Sequence, residues 1–248
     1  MSTSGHKWSF NSLKFLPGEG SFRPLGASRS IRARAQRAGR DIGLGALNCF
    51  KVQFGLRQPC ERTDMGKKYQ EIDERIQRWI ERQRMFFVST APLSDDGRIN
   101  CSPKGLDSLR VLGPRQIAYA DTGGSGIETV AHLKENGRIV IMFCAFDGPP
   151  KIFRFYGTGR SVEPHDADFE RLMPIFPDMP TVRNFIIVNV QCIRDSCGYG
   201  VPLYEFKSER DSLTNWCESK TEDELLAYRT ERNALSLDGL PGLDVESM

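Results

Sequence analysis

No apolar run in the 248-residue chain approaches the roughly 18 residues that carry a helix across a bilayer, so a transmembrane helix is excluded. Histidine is scarce, three residues in all. Neither His132 nor His165 has a second His at ligand spacing, so no metal site is expected and no Ser/His/Asp order is convincing. The seven cysteines are odd in number and sit in a chain long enough for a real core, which argues against a disulfide framework. No classical secretory h-region precedes them, so a cytoplasmic location is expected. Cys192 and Cys197 lack the second pair or clustered His that would complete a zinc site. Cys144, inside an apolar run, reads as a small buried hydrophobe. The glycine spacing and the Lys of a Walker loop or a dinucleotide fingerprint are missing too. With 39% hydrophobic and 27% charged residues, the chain is neither collagen-like nor wholly disordered.

The formal charge of +2 is the sum of two unlike parts. Residues 1–64 hold 11 Lys+Arg against 4 Asp+Glu, a net +7, and residues 65–248 hold 23 against 28, a net −5. The first part is rich in Arg and Ser, with Arg29, Arg32, Arg34, Arg37 and Arg40 clustered among small residues. It reads as a targeting peptide, which would make the location organellar, or as upstream sequence that the mature protein does not use. A nucleic-acid or lipid-binding arm is the lesser alternative, and no chemistry is expected there. The domain is expected over 65–248.

Within it, Ile72, Ile76, Trp79 and Ile80 mark an amphipathic helix from about Glu71 to Arg84. The period then shortens. Strands are expected over 85–90, 98–102, 109–112, 116–121, 138–145, 151–162 and 185–193, mostly joined by tight turns such as Ser94-Asp95-Asp96-Gly97. Gly157 and Gly159 suggest a bulge or bend in the long strand. Helices are expected over 127–136, 166–176, 212–219 and 221–233, the last opened by the capping box Thr221–Glu224. Around seven strands with few interruptions predict a mainly β, antiparallel barrel or sandwich with appended helices.

Three segments offer chemistry. In Tyr119-Ala120-Asp121-Thr122-Gly123-Gly124-Ser125-Gly126-Ile127-Glu128-Thr129 a strand ends, a glycine loop follows and a helix starts. Free N–H groups there suit an anion, while Ser125 with Glu128 also fits an ordinary capping box. Ser102-Pro103-Lys104 ends another strand with a hydroxyl and a mobile cation, or else merely blunts a sheet edge. Arg154 sits in the apolar strand Lys151-Ile152-Phe153-Arg154-Phe155-Tyr156 and needs either an acid or a bound anion. The glycine-rich run from Asp195 to Pro202 is unusual, but no base for Cys197 is identifiable.

Taken together, INCSPKGLDSLRVL, IAYADTGGSGIETVAHLKENGRIVIMFCAFDGPPKIFRFYGTGR, DSCGYGVPLYEF and RNALSLDGLPGL resemble the pyridoxamine 5′-phosphate oxidase-like flavoproteins, over about Met65 to Leu243. The resemblance implies a six-stranded split barrel, a homodimer, FMN as cofactor and a small-molecule substrate, with no membrane or nucleic-acid partner. It places Ser102, Pro103 and Lys104 along the flavin, Tyr119, Ala120 and Asp121 before the phosphate loop, Ser125, Gly126 and Thr129 on that loop, and Arg154 near the ring. Ile127-Glu128-Thr129 stands where the vitamin B6 oxidases have an Arg and a Lys, and their C-terminal Arg and Trp motif is not recognisable. The resemblance therefore implies an FMN-dependent oxidoreductase but not pyridoxine phosphate oxidation. A flavin or haem storage module, or a barrel using deazaflavin F420, is the alternative.

Overall fold

The computed structural model describes residues 66–176, 179 and 181–247. The basic extension over 1–64 lies outside the described residues. The first helix, α1 (Glu74–Glu81), is shorter than its periodicity suggested. Asp73 caps it, accepting from the Ile76 N–H at 2.8 Å, and a capping carboxylate starts a helix where it sits. Ile76 and Ile80 are buried, and Trp79 packs against Phe143 and Phe153.

Eight strands form one antiparallel sheet. They are β1 (Lys68–Tyr69), β2 (Phe86–Thr90), β3 (Asn100–Lys104), β4 (Leu109–Gly113), β5 (Gln116–Thr122), β6 (Arg138–Cys144), β7 (Ile152–Val162) and β8 (Val182–Ser196). The order is β3-β2-β6-β7-β8-β5-β4, with β1 beside β8. Six strands were expected from the resemblance, and seven lie on the path. The eighth is possible because β8 runs fifteen residues, leaving room for Lys68 and Tyr69 to pair with Arg194 and Ile193.

The sheet curls on itself. Phe86 of β2 and Tyr119 of β5 have three strands between them along the path, yet their ring centroids are 5.6 Å apart. No ladder joins β3 to β4 among the described residues, so the barrel is split there. Val88, Ile117, Ile141, Phe155, Ile186 and Ile193 fill its interior. Alternate residues of β5 and β8, including Ala118, Ala120, Phe185 and Ile187, pack outward against Phe169 and Leu172 of α3 (Ala167–Leu172). Burial on both faces explains the nearly unbroken apolar run of β8.

Two irregularities shape the barrel. Between Tyr156 and Gly157 the β7–β8 register shifts, the bulge expected at this glycine. Pro103 does not end β3 as expected, because β3 is an edge strand and proline is tolerated there. The helix α2 (Glu128–Asn136) follows β5 and sends Val130 and Leu133 into the barrel core. After β8 come α4 (Ser212–Glu218) and α5 (Glu222–Asn233), the latter opened by the expected capping box of Thr221 and Glu224.

The C-terminal tail is tied back onto α2. The Gly242 carbonyl accepts from Lys134, and Lys134 also reaches the buried Glu163 at 2.8 Å. Glu163 in turn accepts from the Asp244 N–H at 2.7 Å. No helix among the described residues is long and apolar enough to cross a membrane.

Candidate functional site

Beside the split, β3, the end of β5, the glycine loop and the start of α2 enclose a cavity of about 310 Å³. Strand alternation turns Asn100, Ser102 and Lys104 to one side of β3 and leaves Cys101 and Pro103 exposed. The Lys104 ammonium lies 2.6 Å from Asp121 Oδ1. The other carboxylate oxygen accepts from Arg183 Nε at 3.1 Å and Nη2 at 2.9 Å. Asp121 is 1% exposed and Arg183 3%. Burial alone would raise the Asp121 pKa, but attraction to Arg183, then to Lys104, outweighs it and holds the carboxyl below its usual range. Lys104 and Arg183 together outweigh Asp121, but the Glu128 carboxylate also lines the cavity, so the lining carries no net surplus of charge.

Arg183 also grips the glycine loop from beneath. Its Nη1 donates to the Gly124 carbonyl at 2.8 Å and its Nη2 to the Gly126 carbonyl at 2.7 Å. The buried Asn233 amide adds bonds to the carbonyls of Gly124 (3.0 Å) and Ser125 (3.4 Å). Three successive carbonyls are thus drawn inward. In a planar trans peptide the next residue's N–H points opposite to the carbonyl, so the N–H groups of Ser125, Gly126 and Ile127 face away from these donors. None of them finds an acceptor among the described residues. The N-cap of α2 is Ile127, with no side-chain cap. The capping box expected from Ser125 and Glu128 is not made: Ser125 lies two residues ahead of the N-cap, and Glu128 accepts from the Leu237 N–H at 3.4 Å instead. A turn of outward N–H groups running into a bare helix start is a receptor for an anion.

A polar chain stitches β3 to α2 at this end. Asn100 Nδ2 donates to Thr129 Oγ1 at 3.0 Å and to Thr90 Oγ1 at 3.3 Å. Its Oδ1 accepts from Ser102 at 2.9 Å. Thr90 meets the buried His132 Nδ1 at 2.9 Å. Burial lowers the His132 pKa, so the ring is neutral at pH 7. Because Thr129 accepts from Asn100, its own hydroxyl proton is left to donate. The Tyr119 hydroxyl lies beside Thr129, fully buried and without a partner of normal geometry among the described residues. Burial, then the Asp121 charge, pushes its pKa well up.

Of the residues singled out from sequence, Ser102, Pro103, Lys104, Ala120, Gly126 and Thr129 line the cavity. Tyr119 and Asp121 lie in the layer beneath it, and Ser125 is exposed. Arg154 is not brought to the cavity. It sits on the outer face of β7 and donates to Ser196 Oγ at 3.0 Å, a hydroxyl where an acid or a bound anion was expected. Asp195, from the unusual run, lies near the end of β8 and joins strands together, accepting from the Lys67 N–H, the Tyr69 hydroxyl and Lys151. Burial and this bond raise the Tyr69 pKa to about 12. Sequence reasoning missed Arg183, Asn100 and Asn233. Arg183 carried a signal, an arginine opening the most apolar strand of the chain, which is the same argument that singles out Arg154.

A second groove, of about 580 Å³, continues from the first past Pro103, Lys104, Gly105 and Leu106. Phe146, Tyr204 and Phe206 make it apolar, and the Arg84 guanidinium stands 5.0 Å over the Phe206 ring.

A family model described as Pyridoxamine 5′-phosphate oxidase matches residues 72–194. Pyridoxamine 5′-phosphate oxidase family protein ustO of Aspergillus flavus is 39% identical over 194 residues, 71% of this chain and 77% of its own. The chain belongs to the pyridoxamine 5′-phosphate oxidase family. Among solved structures, this family member is similar to HupZ from Group A Streptococcus, at 23% identity, covering 49% of this chain and 91% of that one with a TM-score of 0.41. It is also similar to an FMN-binding protein from Syntrophomonas wolfei, at 18% identity, covering 48% and 80%, with a TM-score of 0.37. The span matched to the family model contains Lys104, Asp121, the glycine loop and Arg183, and ends before α4, α5 and Asn233.

Proposed function

We propose that the chain is a flavin-binding protein that uses FMN, and that it acts as an FMN-dependent oxidoreductase on a small molecule. The observation that carries this reading is the glycine loop, whose carbonyls are held inward so that its N–H groups are offered to an anion. Those N–H groups and the Thr129 hydroxyl suit the oxygens of a phosphate monoester. Lys104, on the cavity wall, supplies the cation that the Ile127-Glu128-Thr129 segment lacks, with the Glu128 carboxylate on the same wall opposing it. Residues 65–248 are acidic in sum, so the anion is held by a few placed groups and not by bulk charge. Ser102 and the apolar groove past Pro103 suit the remainder of the cofactor. Bound flavin supplies hydride or electron transfer, and the chain supplies orientation and electrostatics.

Purified protein is expected to be yellow, to release FMN on denaturation, and to be bleached by a nicotinamide donor and recover in air. A colourless protein that ignores added FMN would sink the reading, and a haem spectrum would replace it. Thr129→Val is expected to weaken FMN binding by about tenfold, the worth of one hydrogen bond to a charged group.

The working form is a homodimer. Phe87, Val140, Met142, Ile152 and Tyr156 alternate with core positions on β2, β6 and β7 and give the barrel an outer face that is apolar around Arg154, where antiparallel sheets usually carry polar residues. Sedimentation equilibrium is expected to give twice the chain mass, and Val140→Glu to give the monomer. A wild-type monomer at micromolar concentration would remove the proposal.

A further inference from the structure

We infer that Asn233, from a part of the chain beyond the segment matched to the family model, is a positioning residue that sets the polarity of the anion loop. The ligand in this inference comes from the flavin reading; the geometry does not depend on it. Asn233 is fully buried, and its amide donates to two of the three loop carbonyls that face inward. Arg183 holds Gly124 and Gly126 but makes no bond to Ser125, so the middle carbonyl depends on Asn233 alone. That carbonyl belongs to the Ser125–Gly126 peptide, whose opposite end is the Gly126 N–H. Releasing it frees this peptide to turn over and present an oxygen where an anion would sit.

The side chain serves the loop at a cost to itself. Asn233 Oδ1 is buried with no partner among the described residues, and flipping the amide would only set this oxygen against the loop carbonyls. An apolar residue would avoid the unmet acceptor. The backbone of Asn233 is pinned as well. Its carbonyl accepts from the Leu243 N–H at 2.9 Å, and a Cβ on Gly242 would lie 2.1 Å from that carbonyl oxygen. The tail thus fixes Asn233, Asn233 fixes the Ser125–Gly126 peptide, and that peptide presents an N–H to the cavity.

The test compares FMN with riboflavin, which lacks the phosphate, on the full-length wild type and Asn233→Leu. FMN affinity is expected to fall by about tenfold while riboflavin affinity changes by less than about twofold. Should Asn233→Leu fail to fold, Asn233→Ser, too short to reach the loop carbonyls, serves in its place. Equal losses for the two flavins, or no loss for FMN, would overturn the inference. If neither flavin binds the wild type, the flavin reading fails separately, and inorganic phosphate becomes the probe. A saturable rise in melting temperature with phosphate that the variant loses then sustains the role of Asn233, and no response in the wild type overturns it.

Discussion

Replacing Arg183 with Met is expected to lower the unfolding free energy by about 3–5 kcal/mol, the range for breaking a buried ion pair by removing one partner. Arg183 is 3% exposed and makes four of the hydrogen bonds that organise the site, two to Asp121 and two to the glycine loop. Met fills similar space and returns none of them. Lys104 remains beside Asp121, so the loss is expected toward the lower end of the range. Urea unfolding at neutral pH measures it, and a loss under about 1 kcal/mol would mean that Lys104 alone satisfies the carboxylate.

The same variant carries a pH signature. In the wild type the folded-state pKa of Asp121 is depressed. Its contribution to stability is therefore complete above the unfolded value, near about 3.9, and is lost only as pH falls through the lower folded value. Without Arg183 the strongest attraction is gone and burial still opposes the charge. The folded pKa then rises, and acid unfolding is expected to begin at higher pH than in the wild type. Coincident acid transitions would show that the carboxylate had kept its charge by another route.

The second large effect is expected at Gly157. A Cβ there would lie 2.2 Å from the carbonyl oxygen of Asn189 on the paired strand, and backbone atoms cannot swing aside as a side-chain end would. Gly157→Ala is expected to cost about 3 kcal/mol, the upper part of the range for overpacking. Gly124→Ala is the control, since no atom lies within 4 Å of its added methyl, and it is expected to stay within about 0.5 kcal/mol. Thermal or urea unfolding of the two variants decides the matter, and equal stability would mean that the bulge gives way freely.

Local patterns made most of the fold legible. Short apolar runs bounded by turn residues located β2, β6 and β7, and Thr221 with Glu224 announced α5 through a cap completed within four residues. Boundaries were lost where a longer-range partner intervened. β8 extends to Ser196 because β7 and β1 are there to pair with it, which no property of residues 194–196 reveals. At the site, Ser102, Lys104 and Thr129 were visible because hydroxyls and cations beside a glycine loop are conspicuous. The partners that hold them were not. Asn233 meets the loop from 108 positions along the chain, and an asparagine at a helix end has many commoner reasons to be there. Ser125 misled for the opposite reason: its spacing to Glu128 was right for a capping box, but Arg183 and Asn233 hold the loop in another shape.

The tie between the C-terminal tail and α2 bears on when this molecule becomes competent. Domains fold as units and synthesis runs from the N-terminus, so the whole barrel is made before Asn233, Gly242 and Asp244 leave the ribosome. The barrel has its strands by Ser196, but the loop that would receive an anion lacks its last support until those three residues arrive. Full affinity for the ligand is thereby deferred until after the sheet is complete. A chain cut just before Asn233 would keep much of its β structure and hold its anion more weakly.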